Sequence, residues 1–349
     1  MKPKKFYGPP RSKPAGADRF SCSVSFLSFR IFLTLVAAIP VADLAFAQTK
    51  TRLSIATGGT GGVYYPLGGG MAALISRNIP GTEATAEVTT ASVDNMKLIH
   101  TGRVALALTL PDTAWDAYNG KLKGLNEKVG VRSLMALYTN FMHIAALDGS
   151  GIKSVADLRG KRVSTGAPGS GTEVKALRVM EAYGVMSKDL QSQERLGAGE
   201  SAGALKDRKI DAFFWDGGLP TAAILDLAAT PGSKVNLIPH GDAVPKMVAK
   251  YGPLYFVANI SKGVYKGVDE DVPVAAVTNL LVVNEKMDDK QAYELTKLIL
   301  EHTADLVAVH KAASELNLKS AVVGSPIPFH PGALRYFKEK GVTVPPPSK

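Results

Sequence analysis

Thr57-Gly-Gly-Thr-Gly-Gly-Val-Tyr-Tyr-Pro66 follows the short alternating run Arg52-Leu-Ser-Ile-Ala56 and precedes an amphipathic stretch from about Tyr65 to Arg77. Strand, glycine loop and helix in that order form the unit of α/β folds, and Pro66 marks the first helical turn. Glycines let several backbone N–H groups converge on one point at close range. The helix start adds a partial positive charge, so the loop predicts an anion site that needs no cation. Gly61, Gly62 and Val63 bring amides, Thr60 a hydroxyl, and Tyr64 and Tyr65 flat walls with polar tips. It is not a nucleotide loop. The P-loop lysine and Ser/Thr are missing, and Tyr64 stands where a dinucleotide fingerprint needs its last glycine. A turn that only packs helix on sheet is the other reading of the same glycines.

Further along, Thr85–Thr90 and Val104–Leu110 read as strands, with a helix from Ser92 to Thr101 between them. Ser92 is a candidate N-cap and Gly102 a stop. A second unit of the same kind begins near His143. Lys161–Thr165 and Ile210–Trp215 read as strands, Thr172–Tyr183 as a helix stopped by Gly184, and another helix follows Pro220. Val274–Val283 is a long apolar run, and a helix is expected from Asp289 to Val309. The fold class is α/β, arranged as two lobes with a hinge and a cleft between them. Residues 48–140 with 285–349 form the first lobe, and 141–284 the second.

The second lobe repeats the opening grammar at Ala167-Pro-Gly-Ser-Gly-Thr-Glu173. Ser170 and Glu173 have capping-box spacing, which is a structural role in itself. Gly169 and Gly171 still leave amides bare, and Ser170 and Thr172 add hydroxyls. Two such helix starts, one per lobe, suit a cleft that grips an anion from both sides. Asp211-Ala-Phe-Phe-Trp-Asp-Gly-Gly-Leu-Pro220 is a third strand-to-helix loop. Trp215 can stack on a ligand or fill the core, and Asp216 can fix an ammonium. Thr90, Ser92 and Asp112 lie at strand ends on the cleft side, although capping accounts for Ser92 equally well.

The formal charge of +10 overstates the basic character of the folded part. Residues 1–47 hold seven of the 41 basic and two of the 31 acidic side chains, and the remainder carries a net +5 with its signs interspersed. That excludes a nucleic-acid footprint. The same 47 residues read as a signal peptide: a basic stretch to Arg30, the apolar run Ile31–Ile39, and Ala45-Phe46-Ala47 as a cleavage site before Gln48. The apolar run is too short for a membrane span, which needs about 20 residues. Cys22, the single cysteine, lies upstream of that run, so cleavage leaves no thiol for disulfides or zinc. The expected location is the periplasm.

Catalytic patterns do not emerge. The six histidines (His100, His143, His240, His302, His310 and His330) lack metal spacing, and no Gly-x-Ser-x-Gly elbow is present. Ser170, Thr172 and Asp216 have no evident base beside them. The sequence therefore predicts no enzyme, no cofactor and no metal, and a monomer that docks and releases.

These stretches, with Ser92-Val-Asp-Asn95 and the tail Pro328-Phe-His-Pro-Gly-Ala-Leu-Arg-Tyr-Phe-Lys-Glu-Lys-Gly341, resemble the TAXI group of TRAP-transporter solute receptors over nearly the whole mature chain. The resemblance implies a type II periplasmic-binding-protein fold. It also implies capture of a small organic anion, a carboxylate or an acidic amino acid such as glutamate, for a TRAP membrane permease. A receptor for an ABC importer or a sensor kinase is the alternative, with an envelope enzyme on the same fold behind it. One departure bears on the ligand. Related sequences carry Tyr-Pro-Glu where this chain has Tyr138-Thr139-Asn140, and the lost carboxylate favours a plain carboxylate over an amino acid.

Overall fold

The computed structural model describes residues 50–347; the predicted signal segment lies outside them, apart from which every element named above falls within. The first unit runs β1 (Thr51–Ala56), α1 (Tyr64–Asn78), β2 (Thr82–Glu87), α2 (Ser92–His100), β3 (Leu106–Thr109) and α3 (Pro111–Tyr118). The long strand β4 (Val131–Leu147) leads to β5 (Arg162–Ser164), α4 (Gly171–Ala182), β6 (Ser192–Glu194), α5 (Ala198–Lys206), β7 (Ala212–Gly217) and α6 (Ala222–Ala229). Then come β8 (Val235–Leu237), α7 (Val244–Tyr251), β9 (Phe256–Ile260) and the second long strand β10 (Val272–Asn284). Three helices close the chain: α8 (Asp289–Glu301), α9 (Thr303–Val309) and α10 (Pro331–Glu339).

All ten strands join one sheet, ordered β2-β1-β3-β10-β4-β7-β5-β6, with β8 on β4 and β9 on β10. The outer strands are parallel in two sets, β2-β1-β3 and β7-β5-β6, while β10 and β4 run antiparallel to their neighbours at the centre. Each parallel set carries its helices at the carboxyl ends of its strands, where loops gather and ligands bind in such sheets.

Four buried clusters hold the elements. Leu67, Met71, Leu74 and Ile75 of α1, spaced as one helix face, pack with α8 and α10 residues such as Ile299 and Phe337. Val93, Met96 and Ile99 of α2 cover the opposite face with Ala114 and Ala117 of α3. Val179 and Met180 of α4 pack with Met247 of α7 in the third cluster, and Ile224 and Leu227 of α6 with Leu205 of α5 in the fourth. Both central strands pass between these clusters. Leu137 and Tyr138 of β4 belong to the first, Met142 and Ile144 to the third. Val277 of β10 belongs to the third, Leu280 to the second and Leu281 to the first.

Three local expectations need correction. The second strand ends at Glu87 rather than Thr90. The Thr89 hydroxyl lies instead within hydrogen-bond distance of Thr57 O (3.0 Å) and Asn95 Oδ1 (2.7 Å) and donates its one proton between them, so side-chain bonding replaces the ladder. Ser92 is the first residue of α2 and not its N-cap. That position falls on Ala91, and Ser92 Oγ accepts the Leu110 N–H at 3.2 Å. The helix expected over Asp289–Val309 breaks at His302, whose φ and ψ of −112° and 29° leave the helical region. The break turns α9 so that Leu306 and Val309 pack over Gly70 of α1.

Candidate functional site

A cavity of about 280 Å³ opens where the carboxyl ends of both parallel strand sets meet. That is just below the usual range for small-molecule sites, about 300–1,000 Å³, and suits a small occupant. Four helix starts contribute to its wall: Thr60 to Tyr64 at α1, Ala91 and Ser92 at α2, Ser170 to Thr172 at α4, and Gly197 to Glu200 at α5. The first-turn N–H groups of a helix have no acceptor inside it. At α2 two of them are already used, because Val93 N and Asp94 N donate to Gly169 O at 3.1 and 3.2 Å. At α4 the Glu173 N–H goes to Ser170 Oγ at 3.1 Å, which leaves Gly171 and Thr172 nearer the cavity. Among the described residues that line the cavity, only Glu200 and Asp216 are charged, and none is Lys or Arg. Positive potential there comes from peptide dipoles.

Geometry requires glycine at several positions of this region, Gly62 and Gly169 among them. A Cβ on Gly62 would lie 2.8 Å from the Trp215 ring, so the first loop and the Trp215 strand approach only because Gly62 has no side chain. Gly169 has φ +81°, and a Cβ there would lie 2.7 Å from Asp94 Oδ1. That conformation turns its carbonyl onto the start of α2.

Of the residues singled out from the sequence, Thr60, Gly61, Gly62, Val63, Tyr64, Thr90, Ser92, Ser170, Gly171, Thr172, Trp215 and Asp216 line this one cavity. Three do not. Tyr65 is 37% exposed, because one residue along a helix turns the side chain by about 100° from the inward face of Tyr64. Asp112 is buried below the wall, where Arg178 Nη1 reaches it at 3.1 Å and the Tyr255 hydroxyl donates to it at 2.8 Å. Gly169 contributes its carbonyl to α2 rather than an amide to the cavity.

Sequence reading missed several contributors. Asp216 Oδ1 is paired with Lys175 Nζ at 3.0 Å, and both side chains are fully buried. Burial pushes the Asp216 carboxyl up to about 6, and the Lys175 ammonium pulls against that rise. A buried polar chain crosses the sheet centre. Tyr64 donates its hydroxyl to Asn279 Oδ1, Asn279 Nδ2 donates to Asn140 Oδ1 at 2.6 Å, and Asn140 Nδ2 reaches Asp216 O at 3.4 Å. Asn279 sits where the β4–β10 register shifts, and it also donates to Tyr138 O at 3.1 Å. Asn279 is polar inside the apolar run Val274–Val283, a visible signal that the periodicity argument passed over. Gly197-Ala-Gly199 repeats the glycine-before-helix grammar, but the polar strand Ser192–Glu194 before it hides the pattern.

Residues 55–341 match the model of the NMT1-like family. The chain belongs to the NMT1-like family. Among solved structures, a protein of Bordetella bronchiseptica RB50 is similar to this NMT1-like chain at 18% identity, covering 83% of this chain and 89% of that one with a TM-score of 0.51. The periplasmic aliphatic sulphonate binding protein SsuA of Escherichia coli is similar at 14% identity, with 86% and 85% covered and a TM-score of 0.42. PhnD1 of Prochlorococcus marinus, solved with methylphosphonate, is similar at 8% identity, with 76% and 91% covered and a TM-score of 0.49. The likeness concerns the fold, which is the mixed α/β fold of type II periplasmic binding proteins. Among the described residues no helix is long and apolar enough to cross a membrane.

Proposed function

We propose that this NMT1-like protein is an extracytoplasmic solute receptor that captures a small organic anion in the cavity and hands it, unaltered, to a membrane importer. One observation carries the reading: four helix starts meet at a cavity whose described lining holds no basic side chain. Converging amides favour an oxyanion there without a fixed counter-charge, so binding and release need no ion pair to be broken. The twelve lining residues named above, with Asn140 and Tyr138, are its candidate contacts. The two lobes expected from the sequence belong to this proposal. Their crossing lies in β4 and β10, where each strand changes cluster, and closure on ligand draws the lobes together. Export by the 1–47 segment to the periplasm and action as a monomer are part of the same reading.

For the importer, an ABC system is put first. The binding proteins similar in fold include SsuA, a sulphonate-binding protein, and one described as the binding component of an ABC phosphonate transporter in Pseudomonas aeruginosa. A TRAP permease rests on the sequence motifs alone. Uptake by cells carrying the intact gene separates them, since an ABC system stops when ATP is depleted and a TRAP system when the ion gradient collapses.

The receptor reading is tested by thermal shift of the protein against carboxylates, sulphonates, phosphonates and amino acids. A ligand that binds only the folded state raises the melting temperature with concentration, by about 2.7 kcal/mol of stabilisation at 100 times its Kd. Product formation from a bound solute, or no saturable shift with any class, ends this reading.

A further inference from the structure

Arg178 of α4 joins the two strand sets at a point outside the cavity. Its Nη1 donates to Asp112 Oδ2 at 3.1 Å and its Nη2 to Asp116 Oδ2 at 2.5 Å, and both carboxylates stand on α3 of the first set. The guanidinium is also held on its own side. Nη1 donates to the Tyr255 hydroxyl at 2.6 Å, and Cζ lies 4.4 Å from the centre of the Tyr251 ring. The Tyr255 hydroxyl in turn donates to Asp112 Oδ2 at 2.8 Å. Asp112 is sealed from solvent and Arg178 is only 12% exposed. None of these five side chains lines the cavity.

The partners divide unevenly between the expected lobes. From its own lobe Asp112 is bonded only by Thr113, at Oδ1, whereas both partners of Oδ2 come from the other lobe. A buried carboxylate oxygen left bare is costly, so Oδ2 meets either Arg178 with Tyr255 or, once the lobes part, water. Arg178 shares its lobe with Tyr251 and Tyr255, and a guanidinium stacks well on an aromatic face. It therefore stays oriented whichever way the lobes stand. Beside this centre a groove of about 450 Å³ runs along the seam, with Val93, Thr113 and Asp116 on one side and Val174, Leu177 and Arg178 on the other. Apolar packing does not fill the seam there, and charge spans it instead.

Resting on the receptor reading, in which the lobes move, we infer that the Arg178–Asp112–Asp116 centre is a closure latch that holds the lobes together in the absence of ligand. Its two states are paired and shut, or hydrated and open. The bonds from Val93 and Asp94 to Gly169 O cross the same seam and form with it. Ligand enters only after the latch parts, so the latch governs how often the empty cavity is accessible. The captured anion then adds to a closure that is already favoured.

Double electron–electron resonance tests this without ligand. With Cys22→Ser, which removes the single native cysteine, spin labels placed through Arg103→Cys in the first lobe and Lys188→Cys in the second report the separation of the lobes. The otherwise unaltered protein should give one short distance. Arg178→Met strands Asp112 Oδ2 and should shift the distribution to a longer, broader one. Asp116→Asn changes only the partly exposed arm and should populate the longer distance in part. It spares the buried Asp112 pair, and so keeps the test in force if Arg178→Met fails to fold. A pair that merely stabilises the fold would lower the melting temperature of the variants and leave the distance where it was. That result, or a ligand-free parent already at the longer distance, overturns the latch while the receptor stands. If instead no anion gives a saturable thermal shift, the receptor reading falls and the latch with it.

Discussion

The loop before α1 and the loop before α4 share one grammar, strand, glycines and helix start, yet the fold gives them different work. At α1 the loop Gly58–Val63 lies along the cavity, with the Gly62 N–H donated to Gly59 O at 3.1 Å, and Gly62 admits the Trp215 ring from the other strand set. At α4 the carbonyl of Gly169 is taken by the N–H groups of Val93 and Asp94, and Ser170 caps its own helix. Both loops tie the two strand sets together, the first through Gly61 O, which accepts the Ala223 N–H of α6 at 3.4 Å, but the first also runs the length of the ligand space. Beneath the second loop Lys175 and Asp216 are fully buried, whereas no ion pair supports the first among the described residues. The lesson is that a glycine-flanked helix start offers donors, and whatever acceptor the tertiary structure brings first decides their use.

The largest test of that contrast is Asp216→Ala. It leaves Lys175 buried and alone, and removing one partner of a buried pair costs about 3–5 kcal/mol. Denaturant unfolding should show that loss, and adding Lys175→Met should restore most of it. If Asp216→Ala is as stable as the parent protein, the second region is not held by its ion pair.

Acid is the next largest probe, and it acts on the same region. Burial lowers His143 and His240 to about 4, and it raises Asp216 to about 6. Between pH 4 and about 6 the unfolded chain protonates both histidines while the folded chain keeps them neutral, so each loses stability as pH falls. Asp216 has the opposite sign, because the folded state takes up its proton first. The charged or titratable groups acting on these three are Lys175, Asp112 and Asp242. For these three groups, two terms against one leave a net loss of about 1.4 kcal/mol per pH unit as pH falls through that window, and His310 and His330, also lowered by burial, add to it in the same direction. Melting temperatures across pH 4–7 measure it, and a flat profile would contradict the burial of these groups.

On the first region, Gly62→Val drives a side chain into the Trp215 ring. Overpacking of this kind costs about 1–3 kcal/mol, and the displaced loop should weaken ligand binding by roughly tenfold or more. Unchanged affinity would remove the α1 loop from the site. The smallest effect is expected at Tyr65→Ala, which touches a half-exposed ring outside the cavity. Stability should stay within about 0.5 kcal/mol and affinity unchanged. A large loss of affinity there would show that the wall extends beyond Tyr64.

Much of the architecture was legible because its signals are local. The alternation of apolar runs with amphipathic segments, and the stops at Gly102 and Gly184 with φ near +69°, placed β1, β2, β3, β5, β7, β10, α1, α2 and α4 to within a few residues, whereas β4, β6, β8, β9, α3, α5, α7 and α10 were not read. The glycine loops before α1 and α4 were legible for the same reason, and both contribute to one cavity. The break at His302 was not, because it answers to packing over Gly70, about 230 residues away in the chain. Nor was the role of Lys175, which reads as one more polar residue on a helix until Asp216 is brought to it.

The sequence by itself thus determined where helices start and which amides they leave open, since a residue's own φ preference and the next few side chains settle both. Only the tertiary structure decided which of those amides meet a carbonyl, which meet empty space, and which carboxylate is buried against an ammonium. Those outcomes depend on contacts between residues such as Lys175 and Asp216, or Gly62 and Trp215, that no spacing along the chain encodes. Desolvation, the force that makes Asp216 unusual, exists only once the chain has closed around it.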